Sequence, residues 1–205
     1  MRLSSQRRSS GNPPPFLYGR IIQYVPESLL FIIDNVQDTK GRCRSIMQVR
    51  IIAVGKIKEK YLQEGIAEYE KRLRPYAKVQ VVEIPEEKRP LSASPSIERT
   101  AMEKEGERIL AAIPEGSFVI ALAILGEVWS SVALAEALSH WEMAGRNQIA
   151  FLIGGDLGLS PAVYERADLR LSLSRMTFTH PMARLLLFEQ IYRAFRILRG
   201  EPYHK

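Results

Sequence analysis

Residues 171–180 read LSLSRMTFTH, a stretch that has no glycine or acidic residue and contains four hydroxyl side chains. It lies where an apolar segment gives way to a long amphipathic pattern. In an open α/β sheet, ligands bind beyond the carboxyl ends of the strands. The stretch therefore predicts the last strand-to-helix connection of such a sheet and the floor of a small-molecule site.

A second loop of this kind lies upstream, where residues 151–158 read FLIGGDLG. The apolar run stops at a glycine pair, and glycine lets another group approach the backbone closely. The glycines match neither the G-x-G-x-x-G dinucleotide fingerprint nor the G-x-x-x-x-G-K-[ST] phosphate loop. The residues alone leave two interpretations open, a tight turn between strand and helix or a ligand-binding loop.

Apolar runs alternate with segments of three-to-four-residue periodicity along the chain from residue 47. This alternation predicts an α/β fold, a mostly parallel sheet with helices on both faces. The predicted strands are 49–54, 79–84, 117–124, 148–153 and 169–174, and the predicted helices are 58–74, 96–113, 131–144, 161–167 and 181–199. Three helices have a predicted serine N-cap, namely Ser94, Ser130 or Ser131, and Ser160.

Three of the predicted loops, residues 122–126, 154–158 and 173–178, each follow a predicted strand. Because the carboxyl ends of parallel strands meet at one edge of a sheet, we expect these loops to converge. Their apolar and hydroxyl side chains favour a neutral, adenine-bearing ligand held by backbone groups over a bare phosphate.

The formal net charge of +6 is distributed unevenly along the chain. Residues 1–46 contain seven basic and three acidic residues, so residues 47–205 carry only +2. Within that part, residues 170–205 contain seven basic residues against two acidic ones. The basic C-terminal helix is compatible with RNA binding or with a solvated helix face, and charge alone does not decide between them.

Metal and disulfide chemistry find little support in the sequence. Cys43 is the single cysteine, and His140, His180 and His204 lack the spacing of metal ligands, so we expect no metal. His140 and Trp141 are predicted to be packing residues of the third helix. No apolar run reaches the roughly 18 residues of a membrane span. With a cysteine content that suits a reducing compartment, these features predict a soluble cytoplasmic protein.

Residues 1–46 differ in composition from the rest of the chain. They begin MRLSSQRRSSGNPPPF, rich in Arg, Ser and Pro without apolar periodicity, which is typical of segments that do not fold. The three prolines 13–15 also argue against the amphipathic helix of a transit peptide. We expect the folded domain to comprise residues 47–205, with Met47 as the true start.

Four segments, in this order, carry a resemblance to a known family. They read MQVRIIAVGKIKEKYLQEGIAEYEKRL, FLIGGDLGLS, LSLSRMTFTHP and EQIYRAFRILRGEPYHK, and they begin at residues 47, 151, 171 and 189. Together they resemble the large-subunit ribosomal RNA pseudouridine N3-methyltransferases, RlmH-type, of the SPOUT superfamily. The resemblance covers residues 47–205 and leaves residues 1–46 unmatched.

The resemblance implies a C-terminal deep trefoil knot, an exception to the rule that chains do not thread loops. It also implies S-adenosylmethionine as cofactor, an obligate homodimer, and ribosomal RNA within assembled ribosomes as substrate. By matching position, the implied cofactor-binding residues are Leu122, Gly154, Leu173, Ser174, Arg175, Met176, Thr177 and Phe178. These residues belong to the three loops that were expected to converge.

Two positions depart from the family pattern. Ala123 stands where members commonly have an acidic residue, and Thr179 stands where proline is frequent before the histidine. If the missing carboxylate orients cofactor or RNA, binding is weakened here, whereas no loss follows if it only ends a strand. Thr179 suggests no function.

Methyl transfer to a ring nitrogen requires alignment of donor and base and removal of the imide proton. The candidate catalytic residues are Arg193, Tyr203 and His204. Arg193 is expected to stabilise negative charge on the base, Tyr203 to stack on it, and His204 to accept the proton. The alternatives are a surface charge for Arg193 and a frayed chain end for the other two.

Two other functions compete with this hypothesis. A non-catalytic RNA-binding or ribosome-associated module would use the basic C-terminal helix alone, and it would not bind S-adenosylmethionine. A dehydrogenase is disfavoured by the missing dinucleotide fingerprint.

A chain that begins at Met47 should fold and bind S-adenosylmethionine as well as the full chain, because residues 1–46 lack a foldable pattern. Thermal unfolding of both proteins, with calorimetry of cofactor binding, tests this expectation. A large drop in melting temperature on truncation would show that the removed residues pack on the domain.

Overall fold

The computed structural model describes residues 46–202, which form five strands and five helices in alternation. The strands are β1 (Met47–Val54), β2 (Ala77–Ile84), β3 (Phe118–Val128), β4 (Gln148–Ile153) and β5 (Leu169–Ser172). The helices are α1 (Lys60–Leu73), α2 (Pro95–Ala112), α3 (Ser131–Met143), α4 (Pro161–Arg166) and α5 (His180–Leu198). The predictions for residues 1–45 and 203–205 lie outside the described residues.

The strands form one sheet in the order β2-β1-β4-β3-β5, and each of its four pairings is parallel. The predicted α/β fold with a parallel sheet is therefore confirmed. The chain winds from β1 outward to β2 and then crosses to β3 and β5 on the other side. The carboxyl ends of all five strands consequently lie at one edge, which we call the carboxyl edge, opposite the amino edge.

Helices cover both faces of the sheet, as predicted. On one face, Ile52 and Leu152 belong to a core cluster with Ile109 of α2 and Val163 of α4. The alternate strand residues point to the opposite face. There α5 contacts β1 and β4, and α1 and α3 pack against α5. The sheet is thus buried between two helical layers, as its continuous apolar strands require.

Strand β3 differs from its predicted bounds, because it runs through the expected loop 122–126 to Val128. Its pairing with β5 is interrupted, and Leu171 lies opposite both Leu122 and Glu127. A Cβ atom on Gly126 would lie 2.7 Å from the carbonyl oxygen of Arg170, so only glycine allows the two backbones to approach here. The sequence could not reveal this excursion, because it depends on contact with β5.

Strand β5 ends at Ser172, two residues before its predicted end. The Ser172 hydroxyl donates to the carbonyl oxygen of Ser174, and the Ser174 hydroxyl accepts from the backbone N–H of Met176. Such side-chain bonds to nearby backbone groups compete with strand pairing. They turn the chain away from the sheet.

The predicted helix signals were correct in part. Ser130 caps α3 by accepting a hydrogen bond from the backbone N–H of Ala133, as one of the two alternatives predicted. Ser94 and Ser160 precede the first turns of α2 and α4 as predicted, but neither side chain makes a capping hydrogen bond. The Ser160 hydroxyl instead lies against Gly106 of α2, where a Cβ atom would be 2.1 Å from it.

The connection from β5 to α5 crosses the carboxyl edge. At its far end, the guanidinium of Arg184 in α5 donates to the carbonyl oxygen of Gly55 at 2.9 Å and pairs with Glu83 at 2.8 Å. The start of α5 therefore lies beside β1 and β2, three strand spacings or about 14 Å from β5. Residues 173–179 reach at most about 24 Å when extended, so they pass directly over the ends of β3 and β4.

Helix α5 carries a broad apolar surface, which in an isolated helix would favour an interface between chains. Most of this surface is buried within the chain, and Phe188, Ile191, Tyr192 and Phe195 are each less than a tenth exposed. Tyr192, for example, packs against Tyr69 and Tyr76. The breadth of the apolar surface is explained by packing between the sheet, α1 and α3, so it is no argument for a dimer.

Replacing Arg184 by Ala should destabilise the fold by about 3 kcal/mol or more. Its side chain is 1% exposed, and its loss would leave buried carbonyl groups without a donor. Arg199→Ala is the matched control, because that arginine is exposed and should cost less than about 1 kcal/mol. Urea unfolding measures both, and equal small losses would show that Arg184 does not anchor α5.

Candidate functional site

Three of the loops singled out in the sequence meet at the carboxyl edge. Leu122 pairs with Leu171 in β5, while Ala121 pairs with Leu152 in β4, two residues before Gly154. The segment 173–178 leaves β5 at the same edge and crosses over it. The structure therefore brings together the eight residues predicted to bind cofactor, and binding itself stays a prediction.

The glycine loop, residues 154–158, is a tight turn. The backbone N–H of Gly158 donates to the carbonyl oxygen of Gly155 at 3.1 Å. A Cβ atom on Gly154 would lie 2.5 Å from the carbonyl carbon and oxygen of Gly158. Gly154 is thus required because a side chain there would collide with the backbone of its own loop. The sequence had suggested only that it admits a ligand. Both open interpretations of this motif, turn and ligand loop, remain compatible with the geometry.

The side chains around these loops suit an adenine-bearing ligand. Leu122 and Leu173 are half-buried, whereas Met176 and Phe178 are 73% and 42% exposed. Arg175 is the single charged residue among the eight. Apolar surface beside loop backbone is the lining that a neutral ring needs, whereas a phosphate needs a cradle of donors. The residues present therefore fit S-adenosylmethionine.

A buried carboxyl group that sequence reasoning missed lies beside the glycine loop. Glu105 of α2 is 2% exposed, and its Oε1 accepts from the backbone N–H of Glu87 at 2.8 Å. Its Oε2 is buried without a partner among the described residues, 3.4 Å from where a Cβ of Gly155 would lie. Burial raises the pKa of this carboxyl. The sequence feature that could have revealed this buried carboxyl is the position of Glu105 within the apolar stripe of α2 that includes Ala101 and Ile109.

The loop after β2 is fastened to the glycine loop by a second contact. Arg89 forms an ion pair with Asp156, and this contact raises the pKa of the guanidinium. On the other side, His180 packs against Gly55, and burial lowers the pKa of its imidazole. This histidine was considered only as a metal ligand in the sequence, and the structure places it at the carboxyl edge.

The predicted catalytic group Arg193 does not lie with the cofactor loops of its own chain. It follows His180 by 13 residues on α5, which places it about 20 Å along the helix axis. The helix ends at the amino edge, where the Tyr76 hydroxyl donates to Glu201 at 2.6 Å. Arg193 itself pairs with Glu189. Tyr203 and His204 lie outside the described residues.

The arginines of the basic C-terminal helix are largely engaged within the chain. Arg193 pairs with Glu189, and Arg196 pairs with Glu201 at 2.9 Å. Arg199 donates to the carbonyl oxygen of Pro75 at 3.0 Å. The net positive charge of this segment is therefore a weaker argument for RNA binding than the sequence suggested.

Packing accounts for the two aromatic residues assigned to the third helix. Trp141 is 3% exposed, and its ring centroid lies 4.7 Å from that of Phe118, which confirms its predicted packing role. His140 is half-buried, and burial lowers its pKa. Within residues 46–202, no group of His, Cys, Asp and Glu is arranged to hold a metal ion. No helix in that range is long and apolar enough to cross a membrane.

Comparison with known families gives one match that covers most of the chain. The family model described as "Predicted SPOUT methyltransferase" matches residues 47–204. A probable rRNA-methyltransferase of solved structure, from Porphyromonas gingivalis, is 16% identical and covers 78% of this chain and 73% of that one. Its TM-score of 0.45 is too low to inform the site.

Relatives of much higher identity carry a common name. "Ribosomal RNA large subunit methyltransferase H" of Carboxydothermus hydrogenoformans is 55% identical over 159 residues, which are 78% of this chain and 100% of the relative. The protein of that name from Shouchella clausii is 54% identical over the same coverage. A protein of Methanoregula boonei, which bears the name provisionally, is 65% identical, again over 78% of this chain and all of its own length.

Replacing Gly154 by Ala should weaken S-adenosylmethionine binding at least about tenfold, because the new Cβ forces the glycine loop to shift. Gly145→Ala is the control, since that glycine has a φ of 76° and open space around it. The control should cost stability through backbone strain without changing cofactor affinity. Calorimetric titration measures both variants, and unchanged affinity of Gly154→Ala would move the cofactor site away from this loop.

Proposed function

This chain belongs to the SPOUT methyltransferase family, and on that premise we propose that it methylates N3 of a pseudouridine in large-subunit ribosomal RNA. The observation that carries the proposal is identity of 53–65% over 100% of the length of relatives named for ribosomal RNA large-subunit methylation. The meeting of three loops at the carboxyl edge supports it, because that edge is where such a sheet binds ligands.

S-adenosylmethionine supplies a methyl group that is already activated on its sulfonium. Leu122, Gly154 and residues 173–178 hold this cofactor in our proposal. Leu122 and Leu173 offer apolar surface to the adenine, and the glycine loop offers backbone groups. Because the start of α5 fixes the crossing segment, this part of the site is organised before the cofactor binds.

The remaining task of the protein is to orient the base and to remove its N3 proton. Arg193 stabilises the negative charge left on the base, and His204, whose ordinary pKa is close to neutral, accepts the proton. Tyr203 stacks on the ring.

The distances within one chain support a site shared between two chains. Helix α5 is about 28 Å long and runs from the carboxyl edge to the amino edge. From Glu201, which is held at the amino edge, His204 can extend only about 10 Å. We therefore propose that the tail does not serve the cofactor loops of its own chain. A homodimer in which the tail serves the partner's loops removes this difficulty.

Exposed apolar side chains near the cofactor loops also favour a homodimer. Leu125 in the irregular part of β3 is 98% exposed, and Met176 and Phe178 protrude from the crossing segment. A stable monomer seldom leaves so many large apolar groups together in water. We propose that the partner chain covers this surface and thereby closes the site over cofactor and base.

The proposed trefoil knot finds support in the path of residues 173–179. This segment leaves β5 and crosses the carboxyl edge past β3, whose residues 123–126 depart from the regular pairing with β5. A crossing segment next to an outward excursion of the neighbouring strand is the arrangement that a threaded loop would require. The knot would keep the cofactor loops together independently of the ligand.

Assembled ribosomes in the cytoplasm are the proposed substrate, and the relatives' names support the large-subunit ribosomal RNA part of this proposal. The alternative of a non-catalytic RNA-binding module finds less support, because the arginines on which it depends are engaged by Glu189, Glu201 and the carbonyl oxygen of Pro75.

A mixing experiment tests both the activity and the sharing of sites. One variant lacks Tyr203–Lys205, and the other is Gly154→Val, which should not bind cofactor. Each alone should be inactive on ribosomes that lack the methyl group, measured by mass spectrometry of the RNA. In a heterodimer, the intact cofactor loops of one chain meet the intact tail of the other, so a random mixture should recover about a quarter of wild-type activity.

No recovery, with heterodimers demonstrated by sedimentation, would show that each tail serves its own chain. A wild-type protein that transfers no methyl group to the ribosomes would contradict the proposed function itself. A second mixture combines the tail deletion with Arg193→Ala. We propose that Arg193 and the tail of one chain serve the same site, so every site of this heterodimer lacks one of the two groups and the mixture should remain inactive.

A further inference from the structure

We propose that a basic rim formed by Lys56, Lys58, Lys88 and Arg175 contacts the phosphates of the ribosomal RNA strand on both sides of the target base. The inference rests on the proposed function, because it assumes an RNA substrate. It assigns the electrostatic contact to the carboxyl edge of the sheet, and not to the basic C-terminal helix.

The four cations follow three strands at the edge that holds the cofactor loops. Lys56 and Lys58 follow β1, Lys88 follows β2, and Arg175 follows β5. All four are exposed, and within residues 46–202 none of their side chains makes a hydrogen bond or an ion pair. Their positive charge is therefore available to a partner.

Other cations at this edge are used within the protein. Arg89 pairs with Asp156, and Arg184 pairs with Glu83. The carboxylate of Glu87 is likewise engaged by Arg108 and Lys104, at 2.6 and 3.2 Å, and these contacts lower its pKa. Among the acidic side chains at this edge, Asp156, Glu83 and Glu87 are thus neutralised by partners within the chain.

Two exposed carboxylates remain on the segments that carry the rim, Glu59 and Glu86. Four free cations against two carboxylates leave a positive surface. A polyanion is the partner that such a surface attracts, because each exposed lysine or arginine can replace a counterion of a phosphate.

The arrangement matches a strand of nucleic acid better than a single anion. In the strand order β2-β1-β4-β3-β5, Lys56, Lys58 and Lys88 follow strands on one side of Gly154 and Leu122, and Arg175 follows the strand on the other side. The distance from β1 to β5 is about 14 Å, which one phosphate cannot bridge. An RNA strand held at both sides would pass over the ends of β4 and β3, where Gly154 and Leu122 lie.

The loop that carries Lys88 is held in place on both sides of that residue. The backbone N–H of Glu87 donates to the buried carboxyl of Glu105, and Arg89 pairs with Asp156 of the glycine loop. These contacts restrict the backbone of Lys88 beside the cofactor loops. An anchored backbone reduces the entropy that is lost when the side chain binds, so this lysine pays less on contacting RNA than a lysine on a free loop would.

The test compares two double variants that remove the same charge. Lys56→Gln/Lys88→Gln changes the rim, and Lys78→Gln/Arg146→Gln changes exposed residues at the starts of β2 and β4, at the amino edge. Methyl transfer to ribosomes that lack the modification is measured at graded potassium chloride concentrations, together with S-adenosylmethionine affinity.

The rim variant should raise the KM for ribosomes about tenfold at physiological salt. It should also reduce the slope of log kcat/KM against log salt by between one and two, as expected for two lost phosphate contacts. Its cofactor affinity should match that of the wild type, since none of the changed residues belongs to the cofactor loops. The control should stay within about twofold of the wild type in every measurement.

Three outcomes would overturn the rim. In the first, the rim variant keeps the wild-type KM and salt slope. In the second, the KM of the control rises as much as that of the rim variant. In the third, the KM of the rim variant rises with an unchanged salt slope, which would indicate a contact with protein. Cosedimentation of the same variants with ribosomes at graded salt measures the contact without methyl transfer. Equal binding of the rim variant and the wild type in this assay would overturn the rim even if the enzyme acted on another substrate, whereas failure of the wild type to methylate ribosomes would count only against the proposed function.

Discussion

The buried guanidinium of Arg184 is the contact on which the arrangement of the carboxyl edge depends. It joins α5 to the backbone of β1 at Gly55 and to Glu83 of β2, so the helix must begin on the far side of the sheet from β5. The seven residues between β5 and α5 then have one short path, over the ends of β3 and β4. A contact between helix and sheet thereby positions a loop that it does not touch, and with it the proposed cofactor site.

The direction of α5 has a second consequence. Because the helix runs antiparallel to the strands, its two ends lie at opposite edges of the sheet, about 28 Å apart. The proposed cofactor loops are at one of these edges, and Glu201 is held at the other. In the proposed homodimer, two chains related by a twofold axis would combine both ends twice, which would give the assembly a chemical reason beyond the burial of apolar surface.

The number of positive charges in a segment of this protein does not show how many of them are free to bind a partner. The C-terminal helix has the highest density of arginine, yet Arg193, Arg196 and Arg199 are engaged by groups of the same chain. Lys56, Lys58 and Lys88 are free within residues 46–202, and they lie beside the proposed cofactor loops, where we propose that the RNA passes. A surface cation contributes to binding a polyanion through its availability and position, and neither can be obtained from the net charge.

The sequence by itself determined what depends on near neighbours in the chain. The alternation of strands and helices, the bounds of β4 as Gln148–Ile153 and a cap of α3 at one of two adjacent serines follow from periodicity, turn residues and local hydrogen bonds. The family followed from ordered motifs. Only the tertiary structure decided the strand order, the excursion of β3 at Gly126, the burial of Glu105 and Arg184, and the separation of Arg193 from the cofactor loops. Each of these depends on which distant segments meet, and periodicity along the chain carries no information about that choice.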